Sequence, residues 1–134
     1  MDLVKGIKER RSIRKFQDKP IDRKLIEEIV ETARFAPSWK NTQIVRYLVV
    51  DDKEKIAAIA NSKCTYGFDY NIKAIAGAPA VVILTFVEGR SGFDKDGSFS
   101  TPKGEGWQMF DAGVASEAFC LAAYEQGLGT VIMG

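Results

Sequence analysis

Apolar residues recur at helical spacing at Leu25, Ile26, Ile29, Val30 and Ala33, while Arg23, Lys24, Glu27, Glu28 and Glu31 fill the intervening positions. This is an amphipathic helix starting at Asp22 and stopped by Pro37, whose ring forbids continuation and pushes Ala36 out of the helical region. A shorter helix is expected over residues 3–10, capped by Asp2, with Leu3, Val4 and Ile7 on one face. The period then changes. Residues 44–50 are β-branched and aromatic and read as a largely buried strand. Asp51 and Asp52 cap another helix through Ile56, Ala57, Ile59 and Ala60, and residues 61–70 read as a loop anchored by Tyr66, Phe68 and Tyr70. A short helical piece from Asn71 to Ala76 precedes the strongest strand, residues 80–87, apolar enough to be central and covered on both faces.

Residues 88–106 carry five glycines, one proline and no periodicity, which predicts a long mobile loop of the lid or binding kind. A helix from Trp107 to Gln126 follows, closed by Gly127 and rich in small residues, and Thr130 to Met133 read as the start of a further strand. Strand 80–87, this helix and that last strand suit a crossover unit. The alternation of elements implies one α+β or α/β domain over residues 1–134, with helices flanking a sheet of at least three strands.

Charge refines this picture more than composition does. A net charge of +1 argues against a chain built mainly for nucleic acid or anionic membrane. Residues 1–46, however, hold 12 of the 19 basic and 7 of the 18 acidic residues, a local net of +5. The chain has no histidine, and its two cysteines, Cys64 and Cys120, lack metal-like spacing, so zinc sites and histidine-based triads are not expected. No signal-peptide core or bilayer-length apolar run is present, and a cytoplasmic protein is the default reading.

Two stretches carry candidate chemistry. Residues 36–43 place Ser38, Asn41, Thr42 and Gln43 beside the Trp39 indole and the Lys40 ammonium, which suits a flat heterocycle with polar edges. The plainer alternative is a polar helix-to-strand connector. Five of the eight residues from Lys8 to Lys15 are cationic. If the chain is extended there, Ser12 and Arg14 point one way and Ile13 and Lys15 the other, so that Arg10, Ser12 and Arg14 offer guanidinium forks and a hydroxyl to one anion. A solvated basic turn is the alternative. No Walker or Rossmann glycine loop occurs, so phosphate binding must come from arginine side chains.

The run Arg10-Arg11-Ser12-Ile13-Arg14-Lys15-Phe16, then residues 36–43, then Gly127-Leu128-Gly129-Thr130-Val131-Ile132-Met133-Gly134 together resemble the nitroreductase family of FMN enzymes. The resemblance covers the whole chain. It implies an α+β sandwich with a central, mainly antiparallel sheet flanked by helices, and a homodimer with two FMN sites at the interface. By that resemblance Arg10, Arg11, Ser12 and Arg14 belong to the segment that holds the FMN phosphate, ribityl chain and pyrimidine edge. Pro37, Ser38, Trp39 and Asn41 match the loop that a second subunit lays against the flavin. Asn71 falls near a position that bonds the pyrimidine edge, and Met133 and Gly134 match the backbone facing the reactive flavin nitrogen.

Two departures accompany the match. Many relatives have Pro-Trp after the glutamine, where this chain has Ile44-Val45. Family members also continue with a further strand and a C-terminal segment that adds a basic phosphate ligand and wraps the partner. This chain is therefore expected to be truncated and to hold its flavin weakly. The implied reaction is ping-pong: hydride passes from NADH or NADPH to the flavin and then to a small planar acceptor such as a nitroaromatic or quinone, with Phe93, Phe99 and Trp107 as lid candidates. Two other classes stay open: a flavin-binding storage or regulatory protein without turnover, and a flavin-free module using the 8–15 basic cluster on an anion or nucleic acid.

Overall fold

Helix α5 (Gly106–Glu125) is the spine of the fold, and the computed structural model describes residues 2–134. Gln108, Asp111, Ala112, Ala115, Cys120 and Ala123 are buried along it. Helices α1 (Leu3–Glu9) and α2 (Arg23–Ala33) and strands β1 (Val45–Val50) and β2 (Val81–Phe86) all pack against it. Its alanines allow those elements to approach closely. The helix stops where Gly127 takes φ 75°, with Leu128 N–H donating to Ala123 O and Gly127 N–H to Tyr124 O, both at 3.0 Å. A left-handed residue is needed for that closure, and glycine adopts it without strain.

Helix starts follow the aspartates. Asp2 Oδ1 accepts from Val4 N–H at 2.9 Å and Lys5 N–H at 3.2 Å, and Asp22 Oδ1 accepts from Lys24 N–H at 3.0 Å. Asp52 caps α3 (Lys53–Ile59) through Lys55 N–H, and α4 (Asp69–Ala76) packs beside it. Ile26, Ile29 and Ala33 bury the inner stripe of α2, as the periodicity predicts. Arg23 grips Asp51 with Nε at 3.1 Å and Nη2 at 2.6 Å, joining the start of α2 to the end of β1. That bond holds the Asp51 carboxyl below its ordinary value. Its stabilisation is present above the usual carboxylate range and fades as pH falls through the lowered value.

Strands β1 and β2 pair antiparallel, with Leu48 opposite Ile83 and Tyr47 opposite Leu84. Alternate residues face α5, where the Tyr47 ring stacks on Phe119 at 5.6 Å. The α+β class and the antiparallel sheet flanked by helices are as expected. The sheet is smaller than predicted, with two strands among the described residues. β2 is not covered on both faces either, because Leu48 and Ile83 form an outward cross-strand pair, 58% and 37% exposed. Apolarity sets what a strand can bury, while coverage depends on what packs above it.

The crossover unit does not form. Thr130 makes a single parallel bridge with Ser12 rather than pairing with β2, and residues 131–134 join no strand. Residues 88–105 run as a loop between β2 and α5, as expected. They turn tightly, with a Phe93–Phe99 bridge, Ser100 N–H donating to Gly92 O at 2.9 Å, and Ser91 fully buried. On α1 the predicted apolar face is present but uncovered, with Leu3, Val4 and Ile7 all more than half exposed.

Candidate functional site

The arginine segment is shaped by what it touches at the far end of the chain. Arg10 ends α1 by leaving helical geometry, and residues 11–16 form no helix or strand beyond a single bridge at Ser12. Ile13 N–H donates to Thr130 O at 2.9 Å, beside the Ser12–Thr130 bridge. Gly129 makes this approach possible: a Cβ there would sit 2.9 Å from Ile13 Cγ1 and 3.0 Å from its Cβ. Gly129→Ala is accordingly expected to destabilise the fold by about 1–3 kcal/mol in urea unfolding, the usual cost of overpacking. Two of the three sequence motifs are thus brought side by side.

A cavity of about 250 Å³ opens at this corner, lined by Glu9, Arg10, Arg11, Ile13, Tyr124 and residues 127–130. Arg10 Nε is buried there without a hydrogen bond, its nearest carboxylate being Glu117 Oε1 at 3.6 Å. Arg11 is engaged differently. Its Nη1 donates to Lys8 O at 2.6 Å and Arg10 O at 2.8 Å, closing the carbonyl end of α1. Ser12, Ile13 and Arg14 are all exposed, and of the three only Ile13 lines the cavity. Arg10, Ser12 and Arg14 therefore do not share one concavity within this chain. Arg14 Nη1 reaches only Ser12 O at 3.4 Å, and Arg14 has no carboxylate partner among the described residues. The Arg10 guanidinium, with one N–H lacking a hydrogen bond though paired with Glu117, is the donor at this cavity whose chemistry fits the phosphate of FMN, while Arg14 and Ser12 lie outside the cavity. Such groups gain most from a doubly charged acceptor.

The loop before β1 is built quite differently. Ser38 is extended, and a single 3₁₀ turn, Trp39–Asn41, follows. Lys40, Asn41 and Gln43 have φ values of 45°, 54° and 51°, three of the four positive-φ non-glycine residues among those described. Each left-handed residue of this kind costs roughly 1–2 kcal/mol. Local bonds hold the shape: Gln43 N–H donates to Ser38 Oγ at 2.9 Å, and Thr42 Oγ1 to Trp39 O at 2.9 Å. The decisive contact is long-range. Trp39 N–H lies between the two oxygens of Asp111, at 3.1 and 3.2 Å, and Ser91 Oγ donates to the same carboxylate at 2.5 Å. Asp111 is 2% exposed.

Neither Asp111 nor Ser91 was identifiable as part of this site from sequence alone. The available signal was Gln108 and Asp111, polar residues one turn apart on a helix face otherwise buried by alanine. Gln108 does similar work, its Oε1 accepting from Gly89 N–H at 2.8 Å.

Aromatic rings collect on the outer side of this loop. Trp39 and Trp107 centroids are 6.3 Å apart, Phe110 meets Trp107 edge-on at 5.8 Å, and Trp107 Nε1 donates to Thr101 Oγ1 at 2.8 Å. Lys40 Nζ lies 4.6 Å above the Trp39 ring. Phe93 and Phe99, two of the three expected lid residues, pack on each other at 5.2 Å. A second cavity of about 250 Å³ lies on the inner side, lined by Pro37, Ser38, Gln43, Tyr47 and Asp111 among others. Tyr47 Oη is buried without a partner, and burial pushes its phenol pKa up.

The two sites sit apart. Asp111 receives the Trp39 loop, whereas Tyr124 Oη donates to Glu9 Oε2 at 3.3 Å beside the arginine corner. Thirteen residues of α5 separate Asp111 from Tyr124, about 20 Å at 1.5 Å per residue, although Arg10 also reaches Glu117, six residues from Asp111. Asn71, on the first turn of α4, lines neither cavity, and the same holds for Met133 and Gly134.

A family model described as "Nitroreductase family" matches residues 7–65 and 68–134. A chain of Methanothermobacter thermautotrophicus, provisionally named NADH dehydrogenase/NAD(P)H nitroreductase, is 31% identical over 134 residues, which is all of this chain and 61% of that relative. The solved nitroreductase family protein from Clostridium novyi NT superposes with a TM-score of 0.77 at 26% identity, covering 100% of this chain and 70% of its own. An FMN-dependent nitroreductase from Clostridium difficile R20291 gives a TM-score of 0.67 at 30% identity, covering 95% of this chain and 63% of its own.

Proposed function

This chain belongs to the nitroreductase family, and on that premise we propose that it acts as an FMN-dependent oxidoreductase, passing hydride from NADH or NADPH to nitroaromatic, quinone or similar planar acceptors. The observation that carries the reading is the Ser12–Thr130 bridge, which seats the arginine segment beside residues 127–130 and leaves cationic donors unspent. The names of similar proteins supply the chemistry: one is an FMN-dependent nitroreductase, another an NAD(P)H nitroreductase. FMN, when bound, supplies the hydride-accepting and hydride-donating chemistry.

The chain's own residues bind and orient. Arg10 and Arg14 counter phosphate charge, Ser12 meets a polar edge, and Arg11 keeps the end of α1 in place. Asn71 and the backbone at Met133 and Gly134 belong to the same reading as contacts to the ring system. No side-chain nucleophile is required, so a chain without histidine meets the chemical demand. The same reading has the protein work in the cytoplasm, where thiols such as those of Cys64 and Cys120 stay reduced. No helix among the described residues is long and apolar enough to cross a membrane.

A second copy of the chain completes the proposed site by laying Pro37, Ser38, Trp39 and Asn41 against the flavin. The uncovered Leu3, Val4 and Ile7 of α1 and Phe110 of α5 support this. Sedimentation with saturating FMN is expected to show a dimer; a stable monomer carrying a full complement of flavin contradicts it. Steady-state kinetics test the reaction itself. Varying NAD(P)H at several fixed acceptor concentrations should give parallel double-reciprocal lines. Intersecting lines, the sign of a ternary complex, reject the one-site ping-pong scheme.

A further inference from the structure

Asp111 is a buried carboxylate with no lysine or arginine in ion-pair range among the described residues. Taking such a group out of water is unfavourable unless strong donors meet it. The donors are two, the Trp39 N–H and the Ser91 hydroxyl. They come from separate segments, the strained loop before β1 and the tight turns after β2. The shared carboxylate is where those two segments meet. Strained backbone persists only where its surroundings hold it. Here the grip falls on Trp39, immediately before the left-handed Lys40 and Asn41, while Ser38 Oγ closes the other end at Gln43.

We propose that Asp111 is a positioning residue for flavin binding: it fixes the shape of the 38–43 loop by holding the Trp39 N–H between its two oxygens, with Ser91 bracing the carboxylate. This rests on the reading that the loop meets a flavin. Asp111 itself touches no flavin. Without it the Trp39 N–H loses its partner, the three left-handed residues relax, and the indole moves off Trp107. Geometry does this work, not charge. An asparagine serves equally, since its carbonyl oxygen accepts from Trp39 and its amide donates to a rotated Ser91 hydroxyl.

Three variants test it: Asp111→Ala, Asp111→Asn and Ser91→Ala, each read by tryptophan emission without flavin and by titration with FMN and with riboflavin. Trp39 and Trp107 are the two tryptophans of the chain. Asp111→Ala is expected to red-shift the emission and weaken FMN and riboflavin by the same factor, about tenfold or more, as a buried donor is left unpaired. Asp111→Asn should keep the wild-type emission and bind both flavins within about threefold. Ser91→Ala, which keeps the Trp39 bond but unbraces the carboxylate, should weaken both by about three- to tenfold.

The proposal is overturned if Asp111→Ala leaves emission and affinity unchanged, or if it weakens FMN alone. It is overturned equally if Asp111→Asn behaves like the alanine variant. Should the alanine variant not fold, the asparagine and Ser91 variants decide by the same criteria. If wild-type protein binds neither flavin, the proposed function fails, and the emission of the three variants still decides whether Asp111 shapes the loop.

Discussion

Replacing Arg14 with alanine is expected to raise the dissociation constant for FMN about ten- to a hundredfold while leaving riboflavin nearly unaffected. The two ligands differ only in the phosphate, and an arginine–phosphate hydrogen bond contributes roughly 1.5–3 kcal/mol. The structure makes this a clean deletion. The Arg14 side chain is exposed, its hydrogen bond among the described residues is a long 3.4 Å one to Ser12 O, and it pairs with no carboxylate among them. The apo-protein should therefore keep its melting temperature. Arg10 offers no such clarity, because it also ends α1 and lies beside Glu117. Competitive titration of the two flavins settles the matter: equal losses for both would assign Arg14 to something other than the phosphate.

The largest stability effect is expected at Gly92. Its φ of +86° is strained for any L side chain, and a Cβ there would lie 2.6 Å from Gly104 O and 2.9 Å from Trp107 Cδ1. Neither neighbour is the far end of a flexible chain. Gly92→Ala combines the left-handed penalty with overpacking, for a destabilisation of about 2–5 kcal/mol in urea unfolding. The same change at Gly113, exposed on α5 with nothing within 4 Å of the added Cβ, should instead stabilise by about 0.5–1 kcal/mol. Opposite signs at the two glycines are expected. A loss below 1 kcal/mol at Gly92 would mean that the turns around Trp107 yield easily and do not hold the aromatic cluster.

Local signals were legible in the sequence because their partners are near in the chain. Asp2, Asp22 and Asp52 cap the helices expected of them, Gly127 closes α5, and Ile26, Ile29 and Ala33 bury the stripe their spacing implies. The basic segment is legible as a cluster of donors, and of Ser12, Ile13 and Arg14 only Ile13 lines the cavity beside Arg10. What escaped depends on distant contacts. Asp111 and Trp39 are 72 residues apart, and nothing around either one announces the pairing. Ile83 sits in the most apolar run of the chain yet faces outward, because coverage belongs to the packing and not to the run. Residues 88–106 lack periodicity because their order comes from turns and from buried Ser91, neither of which has a repeat. Thr130 reads as the start of a strand, and its pairing with Ser12 instead of β2 depends on the close approach of Gly129 to Ile13.

The central claim is that this chain binds FMN through its arginine segment, and titrating FMN with increasing protein, followed by flavin fluorescence and visible absorbance, tests it most directly. The account predicts saturable quenching to one FMN per chain, perturbed flavin absorption bands, and a melting temperature that rises with added FMN. Flavin that stays fully fluorescent at saturating protein, with no shift in melting temperature, would contradict it.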